Sequence, residues 1–246
     1  MSTIGVVDLP ALTSDSPRGM RTLPARRFAG ASLLEWVSQR VTEVEAIDQT
    51  VVLLADPHRD LACLVPGNVT VHVSGAADPL ARMAEVARAR GANAIVRVSV
   101  DTPFVDPVLV DQLVCSAADS GCDYATYCSG GGRSAIQAQL GLVAEWIDGA
   151  ALARANCETT QAVARSSPSR PIWSRPDLYR LRFIPLPKPL DRDDLRLVVT
   201  SEEDWEHAHQ IVEALGPDDL DWQRIAVLLE EQPDIRQRMA ALNNVQ

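Results

Sequence analysis

Gly91-Ala-Asn-Ala-Ile-Val-Arg-Val-Ser-Val-Asp101-Thr-Pro-Phe-Val-Asp-Pro107 is the stretch on which the reading of this chain turns. Ala94–Val98 is a short β-rich run, and Thr102-Pro103 stops it, because proline cannot donate to a strand ladder. Before it, Asp78-Pro79 supplies a cap and an N1 proline, and Leu80, Met83, Ala84 and Ala87 recur at helical spacing up to Arg90. Gly91 stands where such a helix closes. A capped helix running through a glycine into a strand that ends in Asp101 places that carboxylate at the carboxyl edge of a sheet. In open α/β sheets ligands bind in the crevice at that edge. An oxygen ligand there suits Mg²⁺, which is held by one or two carboxylates together with substrate phosphates. Capping of the turn before Pro107 is the other role open to Asp101, and spacing does not choose between them.

The same alternation extends outward. Further strands are expected at Gly5–Val7, Thr50–Leu54, Thr70–Val73 and Arg196–Val199, with helices at Ser32–Glu43, Asp78–Arg90, Pro107–Ser120, Gly149–Cys157, Ser201–Leu215 and Asp221–Glu231. Ser32 with Glu35 three residues on reads as a capped start. Strands alternating with amphipathic helices build a mostly parallel sheet covered by helices on both faces, an α/β class. Ser129-Gly-Gly-Gly132 reads as a turn, and Ser166–Pro176, with three prolines, as a surface loop. The residues after Gly132 do not look like a helix start, which argues against a phosphate cradle there.

Composition narrows the classes. The 246 residues are 46% hydrophobic, enough for a large core, and no internal repeat or charge run marks a linker, so 1–246 is read as one domain. A net charge of −10 repels nucleic acid. No apolar run reaches the roughly 18 residues of a membrane span, and the first fifteen residues lack the basic start and apolar core of a signal peptide, so the expected location is the cytoplasm. The five cysteines, Cys63, Cys115, Cys122, Cys128 and Cys157, hold no C-x-x-C pair and read as buried free thiols. His207 and His209, two apart on a helix, point to different faces and make a poor metal pair.

From Asp78-Pro-Leu-Ala-Arg-Met through Asp101-Thr-Pro-Phe-Val-Asp-Pro107, the chain resembles cytidylyltransferases of the spore-coat polysaccharide type, relatives of the enzymes that activate keto-deoxy sugar acids and neuraminic acids as CMP-sugars. Asp123-Tyr124, Gly141-Leu142, Ala151-Leu152-Ala-Arg-Ala, Leu195-Arg196-Leu197 and the closing Leu228-Leu-Glu-Glu-Gln-Pro233 continue the resemblance in order. It implies a GT-A-like nucleotide-diphosphosugar transferase fold. It also implies CTP and Mg²⁺ meeting at the loop after the first strand and at Asp101, and a sugar hydroxyl or carboxylate attacking the α-phosphorus with release of pyrophosphate. By the same resemblance Asp101 is a catalytic metal ligand. Pro10, Ala11, Arg18, Arg26, Ser74 and Gly75 bind nucleotide, Arg26 standing where the family has a catalytic lysine, and Glu145 belongs to the acceptor site. An ordinary turn accounts for Ser74-Gly75 as well, and solvated surface arginines account for Arg18, Arg21, Arg26 and Arg27. Relatives are often homodimers in which the segment around Gly141–Ile147 reaches toward a neighbour.

The departures bear on activity. Leu12 replaces the family's loop arginine, Arg26 replaces its lysine, Val143 replaces an aspartate, and Thr200 stands where the final strand carries a second metal aspartate unless Glu202 or Glu203 reaches in. Thr160–Arg165 replaces a further family motif. Two readings therefore stand: a divergent CTP-dependent nucleotidyltransferase for a sugar or sugar acid in cell-surface polysaccharide synthesis, and a catalytically inactive relative acting as a binding or regulatory partner.

Overall fold

The computed structural model describes residues 2–9 and 22–243. Pro10, Ala11, Leu12, Arg18 and Arg21 lie outside the described residues.

Seven strands form one sheet in the order β5-β4-β1-β6-β8-β7-β9. They are β1 Thr3–Asp8, β4 Gln49–Ala55, β5 Thr70–Ser74, β6 Ala94–Ser99, β7 Tyr124–Cys128, β8 Glu145–Asp148 and β9 Leu181–Pro185; β2 Arg27–Phe28 and β3 Ala31–Ser32 form a small hairpin apart. Only β8 runs antiparallel to its sheet neighbours. The helices are α1 Leu33–Thr42, α2 Pro79–Arg90, α3 Pro107–Ser120, α4 Gly149–Glu158, the short α5 Ala162–Arg165 and α6 Arg170–Trp173, then α7 Glu202–Leu215, α8 Trp222–Glu231 and α9 Pro233–Asn243.

The caps fall where the sequence places them. Ser32 accepts from the Glu35 amide, Asp78 from the Ala81 amide and Ser201 from the Asp204 amide, while Gly91 closes α2 in the left-handed region at φ 60°. Alternation along the strands divides the core in two. Ile4, Val6, Val51, Leu53 and Ile95 face α2 and α4, whereas Val7, Val52, Leu54, Val96 and Val98 face α1 and α3. Both faces are covered, as the near-continuous apolar runs of a parallel sheet require.

Several expectations are corrected. Arg196–Val199 is not a strand. The segment is buried and extended, but its backbone bonds go singly to Gln139 (3.3 Å) and Asp101 (2.7 Å), which makes no ladder. Ser166–Pro176 is not a surface loop throughout: α6 buries Pro171 and Ile172, and Ser169 is buried just before it. Of the cysteines only Cys122 is buried; Cys63, Cys115 and Cys157 are exposed. Leu140 and Leu142–Ile147 are buried within the chain, with β8 between β6 and β7. The chain also continues past Pro233 into α9, which seats Ile235 and Met239 in the core. No helix among the described residues is long and apolar enough to cross a membrane.

Candidate active site

Strand register assembles the site. In parallel pairing Asp8 of β1 lies beside Ser99 of β6, and in antiparallel pairing Arg97 of β6 lies opposite Glu145 of β8. Alternation turns Asp8, Arg97, Ser99 and Glu145 to the α2/α4 side, beyond the apolar layer of Ile4, Val6, Ile95 and Ile147. Arg97 Nε donates to Asp8 Oδ2 at 3.0 Å and its Nη1 to Glu145 Oε2 at 2.5 Å. The hydroxyls of Tyr124 and Ser169 donate to Glu145 Oε1 at 2.7 and 2.6 Å. Glu145 is 2% exposed, and these three donors satisfy both of its buried oxygens.

Asp8 is less well served, because its Oδ1 is buried with no hydrogen-bond partner among the described residues. Burial raises the Asp8 pKa against the opposing pull of Arg97, and the charge of Asp101 adds to the rise. Burial likewise raises Asp101, with Ser99 and Arg97 opposing. For Arg97 burial works the other way, but Asp8 and Glu145 outweigh it and hold the guanidinium above its ordinary value.

Two cavities flank this row. The first, about 500 Å³, opens at the carboxyl ends of β1, β4 and β5, with Asp8, Leu53, His58, Ser74, Gly75 and Arg82 in its wall. The second, about 290 Å³, includes Arg97, Asp101, Thr102, Gly141, Glu145 and Thr200. The Asp8–Arg97 ion pair joins the two walls, one residue in each. Ser74-Gly75 is thus a cavity wall, where the Ser74 hydroxyl donates to Glu85 at 2.6 Å and accepts from the Ala76 amide. His72 meets the other Glu85 oxygen, and the Ser74 hydrogen bond lowers the Glu85 pKa.

Asp101 sits just past β6, and the cap before Pro107 is Asp106, which accepts from the Leu109 amide at 3.0 Å. Arg26 and Glu202 line neither cavity. Arg26 donates to both Glu202 oxygens at 2.8 Å with its guanidinium 4.0 Å over the Trp205 ring, so Glu202, one of the two glutamates expected to reach in for a carboxylate at position 200, is engaged elsewhere. Thr200 is tied to Arg196 at 2.7 Å and to Asp204 at 3.0 Å, inside a buried Arg196–Asp204 ion pair. The Gly130 amide is taken by Asp191.

Asp8, Arg97, Tyr124 and Ser169 were missed. The available signal was an arginine inside the apolar run Ile95-Val-Arg-Val, which a strand buried on both faces tolerates only with a partner. Among the described residues no group of three or more His, Cys, Asp or Glu could hold a metal ion, so a cation here would draw on phosphate and water as well.

The chain is 27% identical over 157 residues to the spore coat polysaccharide biosynthesis protein SpsF of Bacillus subtilis (strain 168), spanning 63% of this chain and 62% of that protein's length. A cytidylyltransferase from Leptospira borgpetersenii serovar Hardjo-bovis superposes with a TM-score of 0.80 at 18% identity, over 96% of this chain and 98% of that one. CMP:2-keto-3-deoxy-manno-octonic acid synthetase, solved with CTP, superposes at 0.62 with 14% identity, over 87% and 100%. The model of the MobA-like NTP transferase domain matches residues 19–181, well over half of the chain, and the chain belongs to that family.

Proposed function

We propose that this protein is a nucleotidyltransferase that joins the nucleotide of CTP to a sugar or sugar acid, releasing pyrophosphate, in cell-surface polysaccharide biosynthesis. The observation that carries the reading is the charged row Asp8–Arg97–Glu145, with Asp101, between two cavities at the carboxyl edge of the sheet. Membership of a nucleotidyltransferase family and the likeness to SpsF point the same way.

In this reading the larger cavity takes the nucleotide, with Ser74 and Gly75 against the base and Arg82 at its rim; the smaller one takes the acceptor. Glu145, engaged by three donors, fixes the side chain of Arg97 and holds its charge at the junction of the two cavities. Asp101 would hold Mg²⁺ together with nucleotide phosphates, and the ion would supply charge neutralisation at the α-phosphate and the leaving pyrophosphate. Catalysis of this type is mostly positioning and electrostatics, which a rigid buried row can provide. Arg26 reaches phosphate in this scheme only by leaving Glu202.

Thermal unfolding with and without CTP, in Mg²⁺ and then in EDTA, with ATP, GTP and UTP as controls, tests the reading. Ligand at 100 times its dissociation constant stabilises by about 2.7 kcal/mol, roughly 5–10 °C for a domain of this size. A Mg²⁺-dependent rise with CTP is expected. No rise with any nucleotide at millimolar concentration refutes the proposal and leaves the reading as an inactive binding partner.

A further inference from the structure

The charge at the carboxyl edge of the sheet is out of balance. Asp8, Asp101 and Glu145 share Arg97, the cation that opposes the charge of both Asp8 and Asp101, so two negative charges remain over when all are ionised. Asp8 is 7% exposed; Arg97 takes its Oδ2, and Oδ1 is buried with no partner among the described residues. A buried carboxylate oxygen without a donor calls for a ligand, and an ion is one of the few that fit.

Position supports the same conclusion. The Val100 amide donates to the Asp8 carbonyl at 2.9 Å and the Thr102 amide to the Ser99 carbonyl at 3.1 Å, so the turn after β6 begins directly beside Asp8 and carries Asp101 at its tip. Asp8 forms part of one cavity wall and Asp101 part of the other, and Arg97, paired with Asp8, lines the same cavity as Asp101. Neither Thr200 nor Glu202 stands in for a carboxylate at position 200: the Thr200 hydroxyl is held by Arg196 and Asp204, and Glu202 by Arg26.

We propose that Asp8 and Asp101 together form the protein's share of a divalent-cation site, Asp8 supplying from β1 the second carboxylate that position 200 lacks. The inference rests on the nucleotidyltransferase reading above. Two carboxylates with the remaining positions filled by phosphate and water suit a hard ion such as Mg²⁺ or Mn²⁺. One such ion also cancels the two unbalanced charges.

The test is a Mn²⁺ titration of the full chain followed by electron paramagnetic resonance of the free ion, with and without CTP, alongside thermal unfolding with CTP in EDTA. Asp8→Asn and Asp101→Asn are each expected to weaken Mn²⁺ binding by at least about tenfold, the loss even an indirect partner of a metal causes. Because Asp8→Asn also weakens the hold on Arg97, the wild-type chain is cleaved in parallel with Fe²⁺ and ascorbate and the cuts are mapped by mass spectrometry. Cuts are expected at both Asp8-Leu9 and Val100-Thr102. Wild-type affinity in Asp8→Asn with loss only in Asp101→Asn, or cuts at the second segment alone, overturns the role of Asp8 and leaves the nucleotidyltransferase reading standing. CTP stabilisation in EDTA with no Mn²⁺ bound overturns the cation site but not nucleotide binding; no CTP stabilisation under any condition overturns the function itself.

Discussion

Removing the Glu145 carboxylate tests whether the charged row is held together from inside the sheet. Glu145→Ala takes away the acceptor for Arg97, Tyr124 and Ser169 at once. Arg97, with its side chain only 17% exposed, would keep Asp8 alone, and two buried hydroxyls would lose their acceptor. Breaking a buried ion pair from one side costs about 3–5 kcal/mol, and each orphaned buried donor adds about 1–3 kcal/mol before relaxation. These terms overlap, so the expected total is about 4–6 kcal/mol, against about 5–15 kcal/mol for a whole domain. Glu145→Gln keeps one oxygen for Tyr124 and Ser169 but turns an NH2 donor toward Arg97, so it loses the charged hydrogen bond, about 1.5–3 kcal/mol, and sets donor against donor, while sparing the two hydroxyls. Urea unfolding at pH 7.5 measures both, with an unchanged m-value as the check that the denatured state is the same. The decisive comparison is a double-mutant cycle with Arg97→Met, read as the coupling energy between the two positions, because Arg97→Met alone also takes from Asp8 its ion-pair partner. A cost below about 1 kcal/mol for Glu145→Ala, or no coupling to Arg97, would refute the argument that this network sets the site.

Three further outcomes are expected. Gly141→Ala, at φ 74° with a Cβ that would meet the Leu197 carbonyl group, should destabilise by about 2–5 kcal/mol in urea, since a left-handed residue costs about 1–2 kcal/mol and overpacking about 1–3 kcal/mol; wild-type stability would show that the segment Leu195–Val199 yields freely. His207 is buried with both ring nitrogens unpartnered, and burial, then Arg238, lowers its pKa against the pull of Glu203, Asp204 and Glu206. The unfolded chain therefore takes up a proton that the folded chain refuses, and stability falls as pH drops below about 6.5, the unfolded value; His207→Leu should flatten that slope, and an unchanged slope in urea midpoints between pH 5 and 8 would count against it. Arg26→Ala should weaken CTP binding in calorimetry by about tenfold, as loss of one charged contact does, while hardly moving the melting temperature, because its partner Glu202 is mostly exposed and such pairs contribute under about 1 kcal/mol. A large melting shift with unaltered CTP affinity would make Arg26 a purely structural residue.

How far the sequence discloses this molecule follows from what each kind of signal depends on. Periodicity and caps are local, and Ser32, Asp78, Gly91 and Ser201 mark their helices because the hydrogen bonds they make reach three or four residues. The strands β7, β8 and β9 escaped detection for the opposite reason. Glu145-Trp-Ile-Asp148 is four residues with a charge at each end, and its polarity makes sense only once Arg97 lies opposite Glu145. Arg196–Val199 erred in the other direction, since an apolar run long enough for a strand was used to line the turn at Gly141.

The candidate site divides along the same line. Asp101 was legible because a carboxylate ending a strand has a fixed place in an open sheet. Asp8 occupies the same place on β1, but its meaning depends on parallel register with β6, and register joins residues whose separation along the chain exceeds ninety positions. Ser169 is more remote still, for it reaches Glu145 only because Ile172 anchors α6 in the core. A polar residue placed by its own neighbours can be read from the sequence. One placed by a distant strand has to be found in the fold, and here Asp8, Arg97 and Ser169 are residues of the second kind, gathered with Asp101 at one edge of the sheet.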